Sequence, residues 1–98
     1  MLIKTDSGFT CNIDTDLLDD WDFMEAAFKV SETKDRTEAL RLCIYMLEHI
    51  FEPSEVERLK EHIRKNDNGR LRTTRMEAEI NDIMMKINES KNSSPSPD

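Results

Sequence analysis

Ninety-eight residues leave room for one small domain, since a single core commonly serves ~100–150 residues. Hydrophobic residues at 37% and charged residues at 36%, against usual shares of roughly 45–50% and 25%, restrict the core to the single apolar stripes of amphipathic helices. Fourteen Lys and Arg against 21 Asp and Glu set the net charge at −7, which disfavours a phosphate-backbone ligand because counterion release needs clustered cations.

The opening Met1-Leu2-Ile3-Lys4 lacks the cationic and apolar regions of a secretory signal, and no stretch reaches the ~20 apolar residues of a membrane helix. A cytoplasmic protein without membrane attachment is expected. After the turn formers Asp6-Ser7-Gly8, Phe9, Cys11 and Ile13 alternate with Thr10 and Asn12, which predicts a short half-buried strand over 9–13. Asp14 and Asp16 then supply capping carboxylates for a first helix running to about Val30. Leu17, Trp21, Met24 and Phe28 fall on one face of it, at spacings of four, three and four.

Asp35 with Glu38 three residues later reads as a capping box for a second helix, whose stripe of Ala39, Leu42 or Cys43, Met46 and Ile50 is widened by Leu40, Ile44 and Leu47. That width predicts the most buried helix. Pro53 breaks the pattern, and Ser54 with Glu57 starts a third helix bearing Val56, Leu59 and Ile63. The run Asn66-Asp67-Asn68-Gly69 is a turn, with Gly69 free to take the left-handed conformation that closes a helix. Thr74 and Glu77 start a fourth helix with Met76, Ile80, Ile83, Met84 and Ile87 on one side. From Asn88 no apolar residue remains, and a disordered tail is expected. The fold class is therefore mainly α: about four amphipathic helices in one domain over 1–87, a short extended N-terminal segment, and a Ser/Pro tail over 88–98.

Candidate chemistry is sparse. Placing Gly69 at the sixth position of a calcium loop puts Arg64 at the first and Arg75 at the twelfth, so cations stand where the strongest carboxylates belong. Cys11, Cys43, His49 and His62 lack the short paired spacings of a zinc site. Two cysteines without C-x-x-C spacing read as reduced packing residues. Cys43 and His49 lie six residues apart on one helix, on different faces, so no dyad forms. With Gly8 and Gly69 the sole glycines, there is no phosphate-cradling loop. No catalytic residue, metal or cofactor is expected.

Charge and methionine carry more. Residues 1–30 hold two Lys against seven acids, net −5, whereas 58–75 hold Arg58, Lys60, Arg64, Lys65, Arg70, Arg72 and Arg75 against Glu61 and Asp67, net +5. Arg58, Arg64, Lys65, Arg70, Arg72 and Arg75 form the candidate electrostatic patch. No aromatic residue is interleaved with them, so base stacking has no platform, and a protein partner or a second copy suits the patch better. The six methionines read either as gap fillers or as adaptable contact surface. Trp21 and Phe28 beside Met24 read either as core anchors or as the centre of an exposed groove. Leu17, Trp21, Met24, Phe28, Met76, Ile80 and Met84 are the candidate partner-binding residues, and physical reasoning reaches a helical interaction module.

In order and spacing, several pieces resemble the short tail assembly chaperones of long-tailed bacteriophages of Gram-positive hosts. They are the start Phe9-Thr10-Cys11-Asn12-Ile13, the acidic opening Asp14-Thr15-Asp16-Leu17-Leu18-Asp19-Asp20-Trp21, and Arg58-Leu59-Lys60-Glu61-His62-Ile63-Arg64. The turn Asp67-Asn68-Gly69-Arg70, a last amphipathic helix and the ending Lys91-Asn92-Ser93-Ser94-Pro95-Ser96-Pro97-Asp98 complete the likeness. The resemblance implies a helical protein in the bacterial host cytoplasm that coats the apolar tape measure protein, helps recruit tail tube subunits, and is absent from the mature virion. It also implies a longer frameshifted form joined through the tail, and no fixed functional residues. Self-association along the tape measure, with acidic helix 1 of one copy meeting the basic 58–75 region of the next, fits the charge pattern. Rival readings are a small nucleic-acid-binding regulator acting through 58–75 and a structural connector of the virion.

Overall fold

In the computed structural model, which describes residues 1–92, the N-terminal segment is an antiparallel hairpin of β1 (Leu2–Lys4) and β2 (Thr10–Asn12), with Ile3 opposite Cys11. The predicted alternation holds: Phe9, Cys11 and Ile13 are buried, joined by Ile3 and Thr5 from the first strand. The partner strand escaped sequence reading because three residues with a single inward side chain show no period. Thr5 N–H donates to the Phe9 carbonyl at 2.8 Å, and Gly8 N–H to the Thr5 carbonyl at 2.9 Å. Gly8 turns the loop at φ 95°, where a side chain would be strained.

The first predicted helix is two elements. A 3₁₀ turn spans Thr15–Asp19, its cap Asp14 accepting from Asp16 N–H at 2.9 Å. Helix α1 (Trp21–Glu32) then restarts behind a second capping carboxylate, Asp20, which sits in extended backbone and accepts from Phe23 N–H at 3.2 Å. The break resets the helical phase, so Leu17 no longer shares a stripe with Trp21. Phe23 and Ala26 are buried, with Ala27 and Val30 partly so, and their three-and-four spacing is the true inward stripe. Trp21 and Phe28 are 77% and 64% exposed.

Helix α2 (Arg36–Ile50) starts as expected, Asp35 accepting from Thr37 and Glu38 N–H at 2.9 and 3.3 Å. It is not the most buried helix. Met46 and Leu47 are enclosed, yet Ile44 is 55% exposed and Tyr45 is also exposed. The stripe is wider than its neighbours can cover: α1 packs along one flank, and α3 and α4 reach only part of the other.

Helix α3 (Pro53–Asn66) carries Pro53 in its first turn, with Glu52 as the cap residue in place of Ser54. Proline fits there because its missing N–H has no helical partner at that position. Leu59 and Ile63 are its buried residues, and Phe51, just before it, sets its ring edge-on to Phe9 at 6.2 Å. The turn behaves as expected, Asn68 and Gly69 taking φ of 54° and 84° while Gly69 N–H donates to the Arg64 carbonyl at 2.7 Å.

Helix α4 (Thr73–Asn92) starts earlier than the Thr74 cap implied and runs past Ile87, the expected end, to Asn92. Glu77, expected to close a capping box, instead receives Arg36 at 2.9 Å. Ile80, Ile83 and Ile87 are buried, with Met76 and Met84 partly so. The rest of the expected tail, residues 93–98, lies outside the described residues. Helix α4 packs on β1, α3 and α2, whereas α1 packs on α2 and the 3₁₀ turn, so α1 forms one flank of a body 49 by 29 by 21 Å.

Candidate functional site

The seven candidate apolar residues divide into three groups. Leu17 and Ile80 are core, Ile80 showing only a small part of its surface, at the floor of a groove described below. Met24, Met76 and Met84 are half-buried against that core. Trp21 and Phe28 face solvent, two helical turns apart on the outward side of α1.

A second apolar surface opens on the far side of α2. Leu40, Ile44 and Leu47 form one wall of a groove of about 200 Å³, and Leu71, Met76 and Ile80 form the other. Lys60 and Glu77 stand at its rim. Three of these residues, Leu40, Ile44 and Leu47, had no role in the sequence reading beyond widening the α2 stripe, and Leu71, between two arginines, had none. The signal of the first three was the excess width of that stripe.

The basic patch is partly spent on the fold. Arg58 lies 4.5 Å over the Phe9 ring and donates to the Thr10 carbonyl at 2.6 Å and to Glu55 at 2.8 Å. Arg64 pairs with Glu61 at 2.5 Å. Arg72 reaches within 2.9 Å of Asp67 Oδ2 without hydrogen-bond alignment, so attraction between the charges holds that pair. Among the described residues Lys65, Arg70 and Arg75 have no ion pair. Arg58, Arg64 and Lys65 border an open cleft of about 640 Å³ between the hairpin loop and α3. Phe9, one of the two rings lining it, is buried beneath Arg58, and the other, the half-buried His62 imidazole, packs on Phe9 with ring centroids 5.4 Å apart.

Two polar ties bind the hairpin loop to the helices. The Ser7 hydroxyl donates to Glu79 Oε1, and its oxygen also lies 3.0 Å from His62 Nε2. His62 Nε2 is also 3.3 Å from the Asn66 side-chain amide nitrogen, so the Ser7 oxygen has Glu79 on one side and an imidazole shared with Asn66 on the other. Serine therefore sits between histidine and carboxylate, the reverse of the order in which a histidine activates a serine nucleophile. Glu79 is 8% exposed, and Oε2 has no partner. Nearby, Lys86 bridges Asp6 and Asp82 at 2.9 and 3.2 Å, and the hydrogen bonds to these carboxylates push its pKa up.

The chain matches no family model, no curated protein and no solved structure. The site is therefore read from its own geometry. Burial pushes the thiols of Cys11 and Cys43 up, which suppresses the thiolate. Among the described residues no group of three or more His, Cys, Asp or Glu side chains is placed to hold a metal ion, and no helix is long and apolar enough to cross a membrane. What the surface offers is apolar contact area in two places, each with charge beside it.

Proposed function

We propose that this chain is a tail assembly chaperone of long-tailed bacteriophages, a non-catalytic binder that covers the tape measure protein and helps recruit tail tube subunits in the host cytoplasm. The observation that supports the reading best is the exposure of Trp21 and Phe28, together on the outward face of α1, on a small, highly charged domain. Large apolar side chains grouped on a surface mark a contact site, and helices dock by laying an apolar face against such a surface.

The energetics suit a transient binder. Burying the two ring side chains gains about 3–6 kcal/mol at ~1.5–3 kcal/mol each, and association costs of several kcal/mol consume much of it. A single copy then binds weakly enough to be displaced when tube subunits arrive. Many copies along one long client add strength without any copy binding tightly.

The test is co-expression of the tagged chain with the tape measure and tube proteins encoded beside it. The expected result is tape measure protein recovered soluble and bound, with recovery falling for the Trp21→Ala, Phe28→Ala double variant. Mass spectrometry of purified virions should then find the chain absent. A tape measure protein that precipitates equally with and without the chain would overturn the proposal.

A further inference from the structure

The two unpartnered apolar surfaces lie on opposite flanks of α2. Helix α1 packs along the side of α2 bearing Leu42 and Tyr45, and the groove opens along the side bearing Leu40 and Ile44. Leu42 and Ile44 are two residues apart, hence about 160° apart around the helix. One flank presents a ridge, Trp21 and Phe28; the other presents a hollow.

We infer that the aromatic ridge of α1 in one copy seats in the α2/α4 groove of a second copy, so that copies associate in series. Size permits one of the two rings to enter, since an apolar cavity of ~150 Å³ takes up a benzene ring and the groove measures about 200 Å³; the other ring lies against the rim. Charge favours it as well. Asp20 and Asp22 accompany the ridge along α1. At the groove rim Lys60 pairs with Glu57 and Glu77 with Arg36, and Arg70, next to Leu71 and without an ion pair among the described residues, is the cation free to meet Asp20 and Asp22. Ridge and groove are different surfaces, so the contact is heterologous: each copy engaged through its ridge keeps a groove open for the next. The inference does not depend on the phage reading, because its partner is the chain itself, but both use the same ridge, so a second copy and a client compete for Trp21 and Phe28.

Sedimentation velocity of the full chain over a concentration series tests it. The average mass of the natural sequence should rise from one copy towards two and more. The Trp21→Ala, Phe28→Ala double variant loses the ridge, and Ile44→Asp spoils the groove. Each alone should associate roughly thirtyfold more weakly, the loss expected for one interface hot spot. Mixed in equal amounts, they should recover a species of two copies and nothing larger, since the intact ridge of one fits the intact groove of the other. Should Ile44→Asp lose its helical circular dichroism, Ile44→Ser repeats that arm. A natural chain that stays single-copy to ~1 mM would overturn the inference. So would association lost in only one variant, which marks a surface pairing with itself, or a mixture that fails to associate.

Discussion

Replacing Phe23 by alanine removes a ring with no solvent exposure from the inward face of α1, where it lies one turn before Ala26 and Ala27. Ala26 and Ala27 are too small to fill the space by shifting, so the loss combines transfer and cavity costs of about 3–5 kcal/mol. Small domains hold ~5–15 kcal/mol in total, and one of this length loses roughly 4–8 °C in Tm per kcal/mol. Phe23→Ala should therefore lower Tm by at least about 12 °C. Trp21→Ala and Phe28→Ala remove rings of similar bulk from the outward face and should change stability by no more than ~0.5 kcal/mol each. Urea unfolding followed by far-ultraviolet circular dichroism, at a concentration where the chain is single-copy, measures all three. Trp21 fluorescence is an internal control, because an exposed indole emits as free tryptophan does and shifts little on unfolding. A loss of ~2 kcal/mol or more for Trp21→Ala, together with a small loss for Phe23→Ala, would show that α1 is turned the other way and would remove the ridge from the surface.

Asp35→Ala leaves the Thr37 and Glu38 amides without their acceptor and should cost ~0.5–2 kcal/mol, read as a shift in urea midpoint at constant slope. Lys86 is held protonated in the fold by Asp6 and Asp82 above its ordinary 10.5. Its contribution to stability is present below that pH and lost as pH rises through the folded value, so the alkaline fall in Tm should flatten in Lys86→Met. Alkylation of the native chain by iodoacetamide at neutral pH should be slow at both cysteines, whose thiols are pushed up by burial. It should be slower at buried Cys11 than at half-buried Cys43, with mass spectrometry of the digest reporting each site.

Much of the fold was legible because it is written in local chemistry. Asp35 marked the start of α2, and Gly69 marked the close of α3, since a carboxylate before exposed amides and a glycine at positive φ act within one turn. The isoleucine stripe of α4 read correctly for the same reason: the core lies on one side of that helix, and its period is undisturbed. Misreadings arose where two local signals competed. Asp14 and Asp20 are both good caps, and taking the helix start from Asp14 and Asp16 with Asp20 unread as a cap merged the 3₁₀ turn with α1 and placed Trp21 and Phe28 on the same stripe as Leu17.

Sequence alone thus determined the helical class, the number of α-helices and most of their boundaries, through caps, breakers and periodicity. It also determined the separation of acidic and basic segments. Tertiary structure decided which apolar stripes are covered. Phe23, Ala26 and Val30 offer α1 one face, and Trp21 and Phe28 offer another; contact with α2 buries the first and leaves the second in water. The same holds for the groove between α2 and α4 and for the tie of Ser7, His62 and Glu79, whose members are 17 to 72 residues apart. Hydrophobicity is a property of each side chain, but burial depends on which helix neighbours it, and no local pattern encodes that choice.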